Sequence, residues 1–267
     1  MSSLQALRAA TLAEESWTGS TRFALYYAPP RESAWWRAGC AWLGRDPESG
    51  ETLTPPLIDG LARPLDALTA APRRYGWHGT LVPPFRLAAG VTPEALCAAV
   101  QAWAARRAAF EVAAEAATLG RFVALRAADE RGADALRELA ADALRTLAPL
   151  RATQTAAELA KRLDAPLTQR QREYVEHWGY PYVFDEFRFH MTLSDSLPDS
   201  LPDSLPDSLP DSLDDSDTRT QLTQAWNARM RDAGALPVHG VALYVEPRPG
   251  APFALWRRAA FAPGGRA

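Results

Sequence analysis

Runs of apolar and aromatic residues broken by proline and glycine divide the chain into short strands and helices. Residues 21–28 predict a strand that ends at Pro29-Pro30, followed by an aromatic-rich helix over Ala34–Leu43. Residues 46–64 are turn-rich, punctuated by Pro47, Gly50, Pro55, Pro56 and Gly60. A strand then stops at Pro83-Pro84. Thr92-Pro93-Glu94 opens a helix to about residue 107, with a capping hydroxyl ahead of a proline at the first helical position. A brief strand at Phe110–Val112, a strand pair or one bent strand over 117–127 and an amphipathic helix over 133–147 complete this half. The second half reads as a helix over 167–178, a strand over 182–193, a helix over 219–233, and strands over 238–247 and 252–262. The recurring alternation predicts an α+β fold of two similar lobes. Each lobe is an antiparallel sheet with helices packed on its outer side, and the two sheets face each other across a central cleft.

Within this pattern one motif occurs twice, as His78-Gly79-Thr80-Leu81 and His190-Met191-Thr192-Leu193. Both copies follow apolar and aromatic residues, Tyr75-Gly76-Trp77 and Phe187-Arg188-Phe189. In a strand, positions two apart share a face, so each copy offers an imidazole and a hydroxyl together while its neighbours turn into the core. The chain has four histidines in all, and half of them stand in this pattern. Two bases and two hydroxyls around one cavity make an acid–base site, since an imidazole titrates near neutral pH. Metal binding wants three or four clustered ligands, and no such cluster stands near either motif, although Asp185-Glu186 precedes the second. A nucleophilic serine would want a Gly-x-Ser-x-Gly elbow, which is absent. No cofactor and no metal are expected.

Strand periodicity adds two secondary residues. Arg188 is predicted to share the face of His190 and Thr192, either as a charge for phosphate or in an outward salt bridge with Glu186. Tyr26 on the first strand either lines the cleft or fills the core, and Arg22 carries the same ambiguity. His177 fits a helix C-terminus, where imidazolium is favoured, and His239 fits the surface. The tryptophans fit the core.

With 267 residues, 47% of them hydrophobic and 23% charged, the chain has the composition of an ordinary globular protein. No apolar run approaches the length needed to span a bilayer. The first 16 residues lack a basic start and an uninterrupted apolar stretch, and Cys40 and Cys97 make no disulfide framework. A cytoplasmic protein without a membrane partner is expected. The net charge of -3 is uneven: eight Asp and no Lys or Arg lie between Ser194 and Thr218, leaving a mildly basic body. That suits a small anionic substrate but is far from a duplex-DNA stripe, so no DNA partner is expected. RNA, which wants a broader basic and aromatic surface, is a weaker fit. The acidic stretch is built on Leu-Pro-Asp-Ser repeats at 197–212, whose regular proline blocks helix and central strand alike. The expected organisation is therefore a flexible or weakly helical segment over 1–20, then a single bilobal domain over 21–267 with a low-complexity loop at 194–217.

The doubled His-x-Thr pattern resembles the two-histidine (2H) phosphoesterase superfamily. The stretches Arg22–Pro29, Arg74–Leu81 and especially Gly179–Leu193 are similar to one poorly characterised branch whose members are often encoded in phosphonate-utilisation operons. The resemblance implies metal-independent hydrolysis of a cyclic or strained phosphodiester, with His78 and His190 as acid and base and Thr80 and Thr192 donating to phosphoryl oxygens. The branch leads one to expect Lys after the first motif. Val82 stands there, so no phosphate role is carried to that position. The implied substrate is a small sugar-phosphate or nucleotide-like metabolite. The alternatives are an RNA 2',3'-cyclic phosphodiesterase or 2',5'-RNA ligase-like enzyme, and a phosphate-ligand binding protein without catalysis.

Overall fold

The computed structural model describes residues 12–197 and 215–263. Among the described residues, nine strands carry the architecture: β1 (Arg22–Tyr27), β2 (Gly79–Phe85), β3 (Phe110–Val112), β4 (Ala114–Leu119), β5 (Phe122–Ala127), β6 (Met191–Thr192), β7 (Leu236–Val238), β8 (Gly240–Glu246) and β9 (Ala254–Ala260). Seven of them form one antiparallel sheet in the order β4-β5-β6-β2-β1-β8-β9, and β3 pairs with β7 apart from it. The helices are α1 (Ala34–Leu43), α2 (Ala70–Tyr75), α3 (Pro93–Ala104), α4 (Glu130–Leu147), α5 (Ala156–Leu163), α6 (Gln169–Trp178) and α7 (Asp215–Met230). The fold is α+β, with β2-β1-β8-β9 on one side of a seam and β4-β5-β6 on the other.

These two groups are not consecutive halves of the chain. The C-terminal strands β8 and β9 join the group that carries the first motif, because β8 pairs along the whole of β1, from Arg22 opposite Glu246 to Tyr26 opposite Ala242. The motif strands β2 and β6 lie side by side rather than facing each other. They meet at a single registered pair, Gly79 opposite Met191.

The core forms on the face opposite the motif side chains. Trp77 is fully buried and packs on Gly39 of α1, where an added Cβ would come within 2.2 Å of its ring. Trp42 of α1 meets Trp226 of α7 edge-to-face at 5.2 Å and donates its indole N–H to the Leu193 carbonyl at 2.8 Å. On α7, Asn227 bonds both the N–H and the C=O of Ala116, so its amide stands in for a neighbouring strand at the β4 edge. Helices α3 and α4 pack against β9, β2 and β5. Ser33, Thr92 and Asp129 each cap the helix that follows them, a contribution of about 1 kcal/mol apiece.

Several expected elements change length or character. The helix from Thr92 ends at Ala104 and the helix placed at 133–147 begins at Glu130. The 117–127 segment is a hairpin of β4 and β5. The largest change is at 182–193, where only Met191–Thr192 is strand and Phe184–Glu186 forms a 3-10 turn. Phe184 adopts φ 54°, which breaks the extended run. Its ring is held edge-on to Trp178 at 5.0 Å and under the Arg145 guanidinium at 4.7 Å, so aromatic packing overrides strand periodicity there.

Of the N-terminal segment, the described part is packed on the sheet. Trp17 meets Phe23 and Trp256 edge-to-face at 5.2 and 5.1 Å, and Trp256 donates to Glu14. The Leu-Pro-Asp-Ser repeat lies almost wholly outside the described residues; at its near end, the Leu197 carbonyl accepts from Arg219 of α7.

Gly79 is the position on which the seam closes. A Cβ there would fall 2.5 Å from the Phe189 ring and 3.3 Å from Met191. Gly79→Ala is therefore expected to destabilise the protein by about 1–3 kcal/mol through overpacking. An unchanged midpoint in denaturant unfolding would refute this close approach.

Candidate functional site

Each motif histidine is held by its own chain. Nδ1 of His78 lies 2.8 Å from the Gly76 carbonyl, and Nδ1 of His190 lies 2.8 Å from the Arg188 carbonyl. A carbonyl only accepts, so Nδ1 carries the proton in both rings and Nε2 is left to act on a ligand. The two copies thus use the same device, a contact to the residue two positions back.

The register places the four motif side chains. Extending the Gly79–Met191 pair by one residue each way sets His78 beside Thr192 and His190 beside Thr80. The two histidines then occupy a cross-strand diagonal, a separation of roughly 7–8 Å between positions, with a hydroxyl beside each ring. His78 and Thr192, one from each motif, line the same cavity of about 250 Å³ together with Tyr75, Phe122, Ser194 and Asp195. Phe122 packs 5.7 Å from the His190 ring.

Tyr26 pairs across from Thr80 and stacks on His78, centroids 3.9 Å apart at 27°. It is buried, so it is both a core residue and the floor beneath the imidazole. Arg22, on the same face, pairs with Glu246, which is fully buried and also accepts from Arg74 at 2.9 Å. That answers the ambiguity at Arg22 in favour of an ion pair.

Arg188 precedes β6 and is exposed. Glu186 does not pair with it and instead accepts from Gln171 at 3.0 Å. What Arg188 supplies is its carbonyl, to His190. His177 ends α6, as expected of a helix C-terminus, with Nδ1 2.8 Å from the Glu173 carbonyl. His239 is exposed.

Two residues of the site escape a motif search. Asp195 accepts from the Ala70 and Ala71 N–H groups at 3.0 and 2.8 Å, and its own N–H donates to Leu68 at 2.7 Å. It therefore fastens the end of the second motif to the start of α2. Tyr75 ends α2, stacks on Phe253 at 5.2 Å and lies 6.0 Å from His78. The buried Arg45 fixes that end of the helix by donating to the carbonyls of Arg73 and Arg74, both at 3.0 Å, and to Phe253. The signals available in sequence were thin: Asp195 follows the second motif by one residue, and Tyr75 opens the aromatic run before the first.

Burial sets the electrostatics. It pushes His78 down from 6.5 to about 4, against the raising effect of the Gly76 carbonyl and with a further lowering from His190. His190 is lowered too, again chiefly by burial. Both rings are neutral near pH 7 when nothing is bound. Among the described residues no group of three His, Cys, Asp or Glu side chains stands close enough together to hold a metal ion, and no helix is long and apolar enough to cross a membrane.

Comparison with known proteins adds a family. Residues 80–254 match the family described as "Protein of unknown function (DUF1045)", and the chain belongs to it. The chain is 37% identical over 249 residues to a protein of Janthinobacterium sp. (strain Marseille) named "Ribose 1,5-bisphosphate phosphokinase PhnN", covering 90% of this chain and 51% of that one. A protein of the same name from Laribacter hongkongensis (strain HLHK9) is 37% identical over 236 residues, with 88% and 51% covered. The chain thus spans about half the length of the curated relatives it matches. Solved structures described as "Crystal structure of phosphoesterase" and "Crystal structure of E.coli LigT complexed with NADP+" align over 91% and 92% of this chain and 99% of each of theirs, at 15% and 16% identity and TM-scores of 0.37 and 0.38.

The lowered imidazoles link the site to stability. The unfolded chain binds protons to these rings as pH falls below 6.5, whereas folded His78 resists protonation until about 4, so stability is lost over that interval on acidification. His78→Gln is expected to show a shallower fall in Tm between pH 7 and pH 5 than the unsubstituted protein. Equal slopes in a thermal-melt series would contradict a depressed His78.

Proposed function

We propose that this member of the DUF1045 family is a phosphoesterase that hydrolyses a cyclic or strained phosphodiester by general acid–base catalysis with His78 and His190. The observation that carries this reading is the diagonal pair of imidazoles, each with Nδ1 tied to a backbone carbonyl and each beside a threonine of the other motif. A phosphoryl group between them would have a base on one side and an acid on the other. One imidazole Nε2 takes a proton from water as its oxygen attacks phosphorus. The opposite ring, protonated, gives its proton to the alkoxide as the P–O bond breaks, leaving a phosphate monoester. Thr80 and Thr192 donate hydrogen bonds to the non-bridging oxygens, where negative charge grows.

The lowered imidazoles assign a role to the substrate itself. With both rings neutral in the free site, a bound phosphodiester anion supplies the charge that favours protonating one of them. No metal is needed for these steps.

The phosphokinase name of the longer relatives is not carried to this chain. A P-loop wants Gly-x-x-x-x-Gly-Lys followed by Ser or Thr, and the only lysine here is Lys161, in Leu159-Ala160-Lys161-Arg162. The relatives' name mentions a phosphorylated ribose, which supports a small sugar-phosphate over RNA as substrate.

A screen of ribose cyclic phosphates and nucleoside 2',3'-cyclic phosphates with EDTA present tests the reading. Turnover is expected to persist in EDTA, and His78→Ala and His190→Ala are each expected to lower kcat by about 10²–10⁴-fold. Turnover abolished by EDTA, or either variant near full activity, would overturn the mechanism. The same assay should show the acid limb of kcat at higher pH than that of kcat/KM, because the bound anion raises an imidazole that the empty site keeps low.

A further inference from the structure

The two motif rings share a device but not an environment. His78 is enclosed by tyrosines from three elements: Tyr26 of β1 stacks on it at 3.9 Å, Tyr75 of α2 lies 6.0 Å away and Tyr244 of β8 lies 6.1 Å away. Tyr244 also donates its hydroxyl to the Trp77 carbonyl at 3.1 Å, which fixes the chain just ahead of the ring. Among the described residues a single aromatic ring stands against His190, that of Phe122 in β5 at 5.7 Å. The Arg188 carbonyl contact that holds His190 is exposed, whereas the Gly76 contact that holds His78 is partly buried. Water reaches the His190 ring more freely than the His78 ring.

No neighbouring charge reverses that difference. Burial pushes the Tyr26 and Tyr244 hydroxyls well above the ordinary tyrosine range, so neither is an anion near neutral pH. Asp195 lines the His78 cavity, but its carboxylate is taken by the Ala70 and Ala71 amides. Among the described residues no carboxylate acts on either imidazole: burial is the largest effect on both, the two carbonyls oppose it, and His190 lowers His78 further.

Two imidazoles on one diagonal resist charging together, because each imidazolium repels the other. A bound phosphodiester anion therefore brings one proton to the pair. Hydration decides which ring takes it, since an imidazolium gives up more water at His78 than at His190. The face of Tyr26 attracts a cation, but that pull does not offset the enclosure, and His78 falls to about 4.

We propose that His78 is the general base and His190 the general acid. This rests on the phosphodiesterase reading and deepens it by fixing the direction of attack. Nε2 of His78 takes a proton from water as the water oxygen bonds to phosphorus. The P–O bond on the His190 side breaks, and Nε2–H of His190 gives its proton to the leaving oxygen. The ring opens to a phosphate monoester with a free hydroxyl, and exchange with solvent strips the proton from His78 and restores one to His190. Water thus enters beside Thr192, and the leaving oxygen departs beside Thr80.

An activated leaving group separates the two roles, because a phenolate already stable as an anion does not need the acid's proton. The substrates are a nucleoside 2',3'-cyclic phosphate and the cyclic phosphate of 4-nitrocatechol. His78→Ala is expected to lower kcat by about 10²–10⁴-fold on both. His190→Ala is expected to lose as much on the nucleotide but no more than about tenfold on the nitrocatechol ester. The reverse pattern, or equal losses in the two variants on the nitrocatechol ester, overturns the assignment.

Ring protonation in the unsubstituted protein separates a wrong assignment from a wrong reaction. Nitrogen NMR of the imidazoles is assigned with His78→Gln and His190→Gln and followed on acidification with saturating inorganic phosphate. His190 is expected to take its proton at higher pH than His78. That order would support the assignment even if neither ester were turned over, and the phosphodiesterase reading alone would then be at fault. His78 protonating first, or both rings together, would sink it.

Discussion

Everything in the site depends on one close approach of backbones, the pairing of Gly79 with Met191. The Phe189 ring occupies the space a side chain at 79 would need, which lets the motif strands come to ordinary sheet spacing. From that single pair follow the rest of the distances. The histidines fall on a diagonal, each hydroxyl falls beside the opposite ring, and Tyr26 falls beneath His78. The wide tryptophan core on the other face, with Trp77 wedged on Gly39 and Trp42 against Trp226, keeps the seam from sliding.

Much of this was legible in the sequence because it is written locally. The α1 helix and the short β3 strand are each decided by a few adjacent residues, and the structure places them as read, while the two motif strands lie side by side rather than face to face. What the sequence hid is non-local. That β8 and β9 return to flank β1 depends on an alignment of Arg22 with Glu246 far along the chain, which no period reveals. The misreading of residues 182–193 has a different cause. Alternating aromatics there looked like a strand, but Phe184 takes a positive φ and packs against Trp178 and Arg145. The paired placement of His190 and Thr192 survives the shortening of the strand, since Met191–Thr192 is extended.

Charge is distributed with the same economy. Glu246 answers Arg22 and Arg74 in a fully buried position, and Asp142 answers Arg107 and the Trp103 indole. The imidazoles make the complementary choice: desolvation keeps them uncharged near neutral pH.

Asp195 has a mechanical consequence. Its carboxylate grips two amides at the head of α2 while its own amide binds the Leu68 carbonyl, and it lies only two residues beyond Leu193, the end of the second motif. The jaw that bears His78 and the jaw that bears His190 are therefore riveted to each other beside the cavity. Such a clasp makes the cleft a fixed gauge, an opening whose width is set by the fold before anything enters it.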